Sequence, residues 1–244
     1  GLTRVDSETG ETGSGLAESW EISEDGLTWT FHLKDDIPWV RYNPETGKVE
    51  HVKTGGQVRK VQADDIVYGI NRILDPANKS TNASLLINLI AEQAEDATGV
   101  HQYAIKSLDA KTLEIKLVEP VSYFDALAEL PIMSAQPEWL IIKNGDDWMG
   151  TGVFQGYGPY IIKEWDDDEY LTLIKNPYWV GTESIPEARI NTISLVLSSS
   201  GDPLLDFSNN RTDFVLLSSN DIDGAKQNEA INQYMESNLS LIHI

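Results

Sequence analysis

The segment from Gly156 to Trp179, GYGPYIIKEWDDDEYLTLIKNPYW, constrains the fold of this chain more than any other stretch. Gly156 and Gly158 allow a tight backbone turn and a close approach to a neighbour. Pro159 fixes φ and has no N–H to donate, which confines it to the first residue or the edge of a strand. Two strand-like runs follow, separated by an acidic turn. The segment therefore predicts a strand entry followed by a β-hairpin.

Strand and helix patterns mix along the rest of the chain. Residues 16–34 predict a hairpin, because Asp25-Gly26 is a strong turn signal and alternating apolar residues follow it. Residues 63–76 predict a helix with acidic residues in its first turn. The other predictions are a loop over 37–62, a helix over 80–97, a turn and strand over 107–120, a short helix, a loop and a helix start over 122–141, a strand over 190–197, and a short helix running into a strand over 202–217. Without regular βαβ alternation, the pattern indicates an α+β or irregular α/β fold.

The charge of the chain argues against two classes of partner. Its 18 basic and 39 acidic residues give a formal net charge of -21. Nucleic acid and anionic membrane surfaces are bound through cationic groups, so neither is an expected partner. A solvated surface is the ordinary explanation of the acidity, and a high-salt habitat or a cationic partner is the alternative. No apolar run approaches the roughly 18 residues of a membrane helix, and no signal-peptide pattern is visible.

Motifs for catalysis or metal binding are absent from the sequence. The chain has no cysteine, which excludes disulfides, thiolate zinc sites and a cysteine nucleophile. Its four histidines form no His-Glu-x-x-His pattern, and neither a nucleophile elbow nor a phosphate-binding Gly-Lys-Ser/Thr loop occurs. Asp166, Asp167 and Asp168 lie in the predicted hairpin turn, where a solvated tip is the ordinary interpretation and a weak cation site the alternative. We therefore expect no enzyme, no cofactor and no metal site.

The aromatic residues are more informative about ligand contact. The chain has seven tryptophans and nine tyrosines, and the tryptophans mostly fall at predicted strand ends or beside turns. Core packing explains most of them; the alternative is a cleft lined by aromatic rings, which suit variable ligands. Tyr157 and Tyr160 are expected to face opposite sides of the strand entry, so that one packs and the other contacts ligand. A structural strand entry with no ligand contact is the alternative.

Five blocks of sequence carry a resemblance to a known family. In chain order they are LAESWEISEDGLTWTFHLK, ADDIVYGINRILDP, LDAKTLEIKLVEPVSYFDAL, GYGPYIIKEW and LIKNPYWVG. Together they closely resemble family 5, the peptide/nickel (oligopeptide and dipeptide) class of extracytoplasmic solute-binding proteins of ABC transporters. The resemblance covers residues 16–217. Two departures are Gln62, where the family usually has a helix-capping Thr, and Tyr157, where a Thr is usual.

The resemblance implies a periplasmic-binding-protein-like bilobed fold of the peptide-binding class, α/β with mixed α+β character. The first lobe would carry an extra subdomain, and only the start of the second lobe would lie in this chain. The implied segments are 1–60 for the N-terminal part of the first-lobe sheet, 61–150 for the inserted subdomain, 151–190 for the return to that sheet and 191–238 for the start of the second lobe. The family's first strand and most of its second lobe are expected outside these 244 residues.

The last six residues, LSLIHI, follow a polar stretch of helical pattern abruptly. They match the translation of a common transposon-based sequencing adaptor. We therefore interpret residues 239–244 as a sequencing or cloning scar. A genuine apolar strand is the alternative.

The resemblance also implies a function in binding. An extracytoplasmic receptor of this class captures oligopeptides, dipeptides or similar small solutes and delivers them to the permease subunits of an ABC importer. It implies a periplasmic or extracytoplasmic location, a lipid anchor on a preceding segment, and a monomer. A secreted hydrolase acting on peptides or glycans is the alternative. By family position and loop placement, the expected ligand-binding residues are Asn82, Ala83, Ser84, Met133, Gly156, Tyr157, Gly158 and Tyr160.

Overall fold

The structure is a computed structural model that describes residues 1–6, 9–93, 102–166, 169–181, 187–197, 203–217, 219 and 221–227. Its internal contacts divide the chain into two compact units. The first comprises residues 1–165 and 172–193, and the second comprises the described residues within 166–171 and 194–244. Asp167 and Asp168 of the acidic turn, and the six residues interpreted as a scar, lie outside the described residues.

Short strands and helices alternate along the described chain. The strands are β1 (Thr3–Val5), β2 (Thr12–Ser14), β3 (Ala17–Ile22), β4 (Thr28–Leu33), β5 (Val40–Asn43), β6 (Lys48–His51), β7 (Lys53–Thr54), β8 (Gln57–Val58), β9 (Glu92–Gln93), β10 (Gln102–Tyr103), β11 (Ile105–Asp109), β12 (Thr112–Lys116), β13 (Gln155–Gly156), β14 (Tyr160–Asp166), β15 (Tyr170–Lys175) and β16 (Thr192–Val196). The α-helices are α1 (Ala63–Leu74), α2 (Phe124–Leu127), α3 (Glu138–Asn144), α4 (Pro203–Ser208) and α5 (Ile222–Gln227). In the part of the chain that the structure describes, no helix is both long and apolar enough to cross a membrane.

A four-stranded antiparallel sheet forms the centre of the first unit, in the order β11-β12-β4-β3. The predicted hairpin over residues 16–34 is confirmed as β3 and β4. Trp29, Phe31 and Leu33 of β4 are buried, as their alternation predicts. Helix α1 confirms the helix predicted over 63–76 and packs against β11 and β12.

Two smaller sheets carry the segments around the glycine-rich turn. Their strand orders are β13-β5-β6 and β14-β15-β16. Val40, Val49 and Ile161 form a second buried cluster, separate from the main core, and Phe154 packs against it. The strand entry and hairpin predicted from Gly156 to Trp179 are confirmed as β14 and β15.

The loop predicted over residues 37–62 is wrong. Strands β5 and β6 pair from Val40–His51 to Asn43–Lys48, and β7 pairs with β8. The polar residues that suggested a loop form only the tight turn of the first hairpin, where Gly47 adopts a positive φ of 67°. Strands of two to four residues are too short for a period-2 pattern to be recognised.

The helix predicted over residues 80–97 is also wrong for its described part. Ala83–Leu85 form a single 3-10 turn, and Ile90 forms an isolated bridge with Leu117. The apolar spacing that suggested a helix instead reflects burial of Leu86 and Ile90 in the main core. Residues 94–97 lie outside the described residues. In the second unit, α4 confirms the short helix within 202–217, but the described residues after it form no strand.

Candidate functional site

The turn from Gly156 to Tyr160 connects β13 to β14 in the first unit. Gly156 pairs with Val40 of β5. A Cβ atom at Gly156 would lie 3.0 Å from the Phe154 ring and 3.1 Å from Ile161 Cδ1, so this position favours glycine because of close packing. A Cβ at Gly158 would meet open space. The two glycines therefore differ: one allows a close approach, and the other faces a hollow.

Asn176 holds this turn in place. Its side-chain Nδ2 donates to the Gly158 carbonyl at 2.9 Å, and its backbone N–H donates to the Pro159 carbonyl at 2.8 Å. Its Oδ1 accepts from the Tyr178 backbone N–H at 3.0 Å. Asn176 is only 2% exposed. The Gly-Tyr-Gly-Pro-Tyr and Asn-Pro-Tyr-Trp motifs are therefore one hydrogen-bonded structure.

The turn borders a cavity of about 260 Å³, which we call the turn cavity. Segments far apart in the sequence, including the residue before β5 and the loop before α3, supply its walls. The lining residues are Trp39, Ala135, Pro137, Trp148, Phe154, Gln155, Gly156, Tyr157, Gly158 and Tyr160.

Aromatic rings dominate the walls of the turn cavity. The ring of Trp39 meets the ring of Tyr157 at 4.9 Å with an interplanar angle of 85°. It meets the ring of Trp139 at 5.2 Å and 89°. Such edge-to-face pairs fix ring orientations as well as burying apolar area. Trp148 and Phe154 form a further tilted pair at 6.1 Å.

Asp65 anchors the aromatic wall from behind. Its Oδ2 accepts from Trp39 Nε1 at 3.1 Å and from the Gln62 backbone N–H at 3.0 Å. Arg59 Nη2 lies 3.7 Å from Oδ1. Burial raises the pKa of Asp65, although these hydrogen bonds and Arg59 act against the rise. The Gln62 backbone N–H is thus satisfied by the carboxylate three residues later, which is the N3 half of a capping box.

The tyrosine hydroxyls of the turn have partners inside the protein. Tyr157 Oη accepts from the Ala135 backbone N–H at 3.1 Å, and burial raises the pKa of Tyr157 to about 12. Tyr160 Oη donates to the Ile190 carbonyl at 2.9 Å. Both tyrosines line the turn cavity, and which of them contacts ligand stays a prediction.

The structure brings together half of the residues predicted to bind ligand. Gly156, Tyr157, Gly158 and Tyr160 share the turn cavity. Met133 is fully buried in the main core. The segment Asn82–Ser84 lies at the 3-10 turn, with Asn82 and Ser84 exposed, and is not part of the lining of this cavity. A ligand contact at any of these positions stays a prediction.

Sequence reasoning missed Trp39, Trp148, Phe154 and Asn176 as site residues. The tryptophans carried a weak signal, since they lay beside predicted turns. Asn176 carried a clearer one, because an Asn-Pro pair directly after a strand is a typical turn start. The sequence did not show that Asn176 holds the Gly158 turn, because that hydrogen bond joins residues 18 positions apart.

A second hollow of about 460 Å³ lies beside β6 and β15 in the first unit and is more open. Lys48 and Lys175 are among its lining residues, together with Val49, Ile174 and Tyr178. Lys175 forms an ion pair with Glu187 at 2.7 Å. Among the described residues, no group of three or more His, Cys, Asp or Glu side chains is placed to hold a metal ion.

Comparison with known proteins identifies the family. The family model for bacterial extracellular solute-binding proteins, family 5, middle region, matches residues 11–244. The periplasmic oligopeptide-binding protein OppA of Escherichia coli K12 is 33% identical over 181 residues, which cover 72% of this chain and 30% of that protein. The probable deoxycholate-binding periplasmic protein YgiS of the same strain is 28% identical over 205 residues, covering 82% and 35%.

The solved structures agree with this result. The oligopeptide-binding protein OppAIV of Borrelia burgdorferi matches with a TM-score of 0.72 and 25% identity, covering 94% of this chain and 43% of that one. This similarity confirms the expected fold class, the periplasmic-binding-protein-like fold of the peptide-binding class. The chain spans about a third of the length of the curated relatives it matches. It belongs to family 5 of the bacterial extracellular solute-binding proteins.

Proposed function

We propose that the protein containing this chain is an extracytoplasmic receptor that captures oligopeptides or dipeptides for an ABC importer. The turn cavity carries the proposal: in a chain of this family, the Gly156–Tyr160 turn borders a concave, aromatic-walled space. Two of the similar proteins are named as oligopeptide-binding, which supports a peptide as the ligand. The proposed activity is binding and delivery, with no bond made or broken.

Peptide capture suits the chemistry of this site. Every peptide has the same main chain, so hydrogen bonds to a ligand backbone would hold peptides of many sequences. Aromatic walls add apolar contact that depends little on the identity of the ligand. The proposed mechanism is completed by closure of a second lobe over the ligand, as the bilobed fold allows.

The proposal extends to location and partners. We place the protein on the outer side of the cytoplasmic membrane, because OppA and YgiS are named as periplasmic. The expected partners are the permease subunits of the importer. A lipid anchor in a segment preceding residue 1 and a monomeric state complete the proposal, and they rest on the family resemblance.

Ligand recovery tests the function directly. The full-length gene product would be purified under native conditions, and small molecules released by denaturation would be identified by mass spectrometry. A mixture of intact peptides, confirmed by calorimetric titration with the same peptides, is the expected result. Cleaved products from added peptides would overturn the proposal in favour of a hydrolase. A single sugar, a nickel chelate or a bile acid such as deoxycholate would overturn the peptide assignment.

A further inference from the structure

We infer that the turn cavity receives one uncharged, apolar side chain of the bound ligand. This inference rests on the proposed peptide-binding function and adds a preference at one ligand position. Its basis is the apolar, aromatic lining of the cavity, together with the hydrogen bonds that several of its polar groups already make within the protein.

Three polar side chains of the cavity wall, and one backbone carbonyl, already make hydrogen bonds within the protein. Gln155 Oε1 accepts from Trp139 Nε1 at 2.9 Å. Tyr157 Oη accepts from the Ala135 backbone N–H, and Tyr160 Oη donates to the Ile190 carbonyl. The Gly158 carbonyl accepts from Asn176. A polar side chain entering the cavity would have to compete with these bonds.

In the part of the chain that the structure describes, no charged residue belongs to the lining of the turn cavity. Two basic groups contact aromatic rings at or next to the wall and have partners in the protein. The Arg59 guanidinium lies 3.4 Å from the centre of the Trp139 ring and pairs with Asp65. Arg72 Nη1 donates to Gln136 Oε1 at 3.2 Å, and its guanidinium lies 5.8 Å from the centre of the Trp148 ring. A charged ligand side chain would therefore be desolvated in this cavity without a counter-charge, which is strongly unfavourable.

The size of the cavity fits a side chain and not a whole ligand. Pockets that enclose complete small-molecule ligands usually measure roughly 300–1,000 Å³. The turn cavity, at about 260 Å³, lies below that range. A leucine or phenylalanine side chain would gain contact with Trp148, Phe154 and Tyr160, and it would leave the hydrogen bonds of Tyr157 and Tyr160 intact.

A position-scanned peptide series tests the inference. Tripeptides of alanine carrying Phe, Leu, Gln, Lys or Glu at each position in turn would be titrated into the full-length gene product by calorimetry. At one ligand position, we expect Phe and Leu to bind about tenfold or more tightly than Lys and Glu, because each buried apolar side chain is favourable and each unpaired charge is not. The other two positions should discriminate less.

Variants assign the preference to this cavity. Trp148→Ala removes one wall and should reduce the preference for Phe at that one position by severalfold, with Phe154→Leu as a second wall variant. Trp20→Ala is the matched control, since Trp20 is also half-buried but lies on β3, outside the cavity. Thermal unfolding of each variant would show that it folds.

The outcomes separate this inference from the proposed function. Tight peptide binding with no preference for apolar residues, or with a preference for Lys or Glu at every position, would overturn the inference and leave the receptor function intact. An apolar preference that Trp148→Ala and Phe154→Leu leave unchanged would also overturn it. Absence of peptide binding would overturn both.

Discussion

At the scale of single residues, Asn176 explains how two sequence motifs act as one structure. Its amide is the only side chain of its motif that bonds the glycine turn in the described residues, and it uses its donor and its acceptor on different partners, Gly158 and Tyr178. An amide suits this place because a carboxylate offers no donor and a hydroxyl is too short to span both partners. The turn next to the cavity therefore depends on one buried side chain.

Asn176→Asp should destabilise the protein in a pH-dependent way. At neutral pH an ionised carboxylate would face the Gly158 carbonyl without a proton, at a cost of about 1–3 kcal/mol in the free energy of unfolding. Burial disfavours the ionised form, and a protonated carboxyl can donate to Gly158 and accept from Tyr178 as the amide does. The loss should therefore shrink as pH falls from about 8 to about 5.

Chemical denaturation of the variant and the wild type across this pH range would measure the effect. Asn78→Asp is the control, because Asn78 also donates to a backbone carbonyl, that of Arg72, but from an exposed position. The loss of unfolding free energy in Asn78→Asp should be small and should change little with pH. A loss at Asn176→Asp that does not change with pH would contradict the role assigned to the amide proton.

Asp65 leads to a second prediction about the pH dependence of stability, in which the titrating group is a residue of the wild-type protein. Burial raises the pKa of Asp65 above its ordinary value in the folded state, while Arg59 acts against the rise and Asp64 adds to it. A raised folded-state pKa means that the stability contributed by protonated Asp65 is fully present below its unfolded pKa. That contribution is lost as pH rises through the folded value.

Asp65→Asn should therefore gain stability relative to wild type as pH rises from about 4 to about 7. Because the substitution also changes the hydrogen bonds of this side chain at every pH, the measured quantity is the change with pH in the difference between the two unfolding free energies. Asp146→Asn, which removes an exposed carboxylate, is the control and should show little change. A difference that stays flat, or changes in favour of wild type, would contradict the raised pKa.

At the scale of secondary-structure elements, local sequence patterns predicted correctly those strands and helices that form from contacts within a short segment. The hairpin over 16–34, helix α1 and the hairpin of β14 and β15 all follow from short-range periodicity and turn residues. The helix expected over 80–97 was wrong because a distant strand decides that segment: the Val118 backbone N–H donates to the Leu89 carbonyl at 2.9 Å. Tertiary contacts of this kind leave no local periodic signal.

In the candidate site, too, the locally determined part was predictable from the sequence and the part formed by distant segments was not. The glycine turn was predictable from Gly156, Gly158 and Pro159, because these residues restrict the backbone directly. Its walls were not, since Trp39 and Trp148 approach the turn from segments that are remote in the sequence. Periodicity identifies buried faces, whereas a cavity arises from faces that are brought together only in the folded chain.

Helix α1 offers a test in which packing and helix propensity predict opposite results. A Cβ atom at Gly69 would lie 2.5 Å from the Ser134 backbone carbonyl oxygen. Gly69→Ala should therefore lower the free energy of unfolding by about 1–3 kcal/mol, because a backbone carbonyl in a packed core cannot easily move. Helix propensity alone would predict a gain of about 1 kcal/mol.

Gly224→Ala in α5 is the matched control for Gly69→Ala. A Cβ there would meet no atom within 4 Å, so alanine should be neutral or stabilise by about 0.5–1 kcal/mol. Urea denaturation followed by circular dichroism would measure both variants. A stabilising Gly69→Ala would show that α1 does not pack as closely against Ser134 as the structure has it.

At the scale of the whole molecule, the excess of acidic residues dominates the electrostatics. With 39 acidic and 18 basic residues, most carboxylates have no basic counterpart in the sequence. Apart from Arg59–Asp65, the ion pairs among the described residues, such as Lys106–Glu114 at 2.9 Å, lie at least partly in solvent, where each contributes about 0–1 kcal/mol. Net repulsion between like charges therefore outweighs the pairs, and it opposes the compact state.

Salt should consequently stabilise this protein. Raising sodium chloride from about 0.02 M to about 0.5 M shortens the screening length severalfold, which weakens long-range repulsion more than the close pairs. A gain of about 1–2 kcal/mol corresponds to a rise in Tm of about 2–8 °C for a chain of this size. Differential scanning calorimetry would measure this rise in Tm.

The double variant Asp146→Asn, Asp147→Asn, which removes two adjacent exposed carboxylates, is the control. Its Tm should rise less with salt than that of wild type, because less repulsion remains to be screened. A Tm that falls with salt would mean that the surface ion pairs, and not the repulsion, control stability.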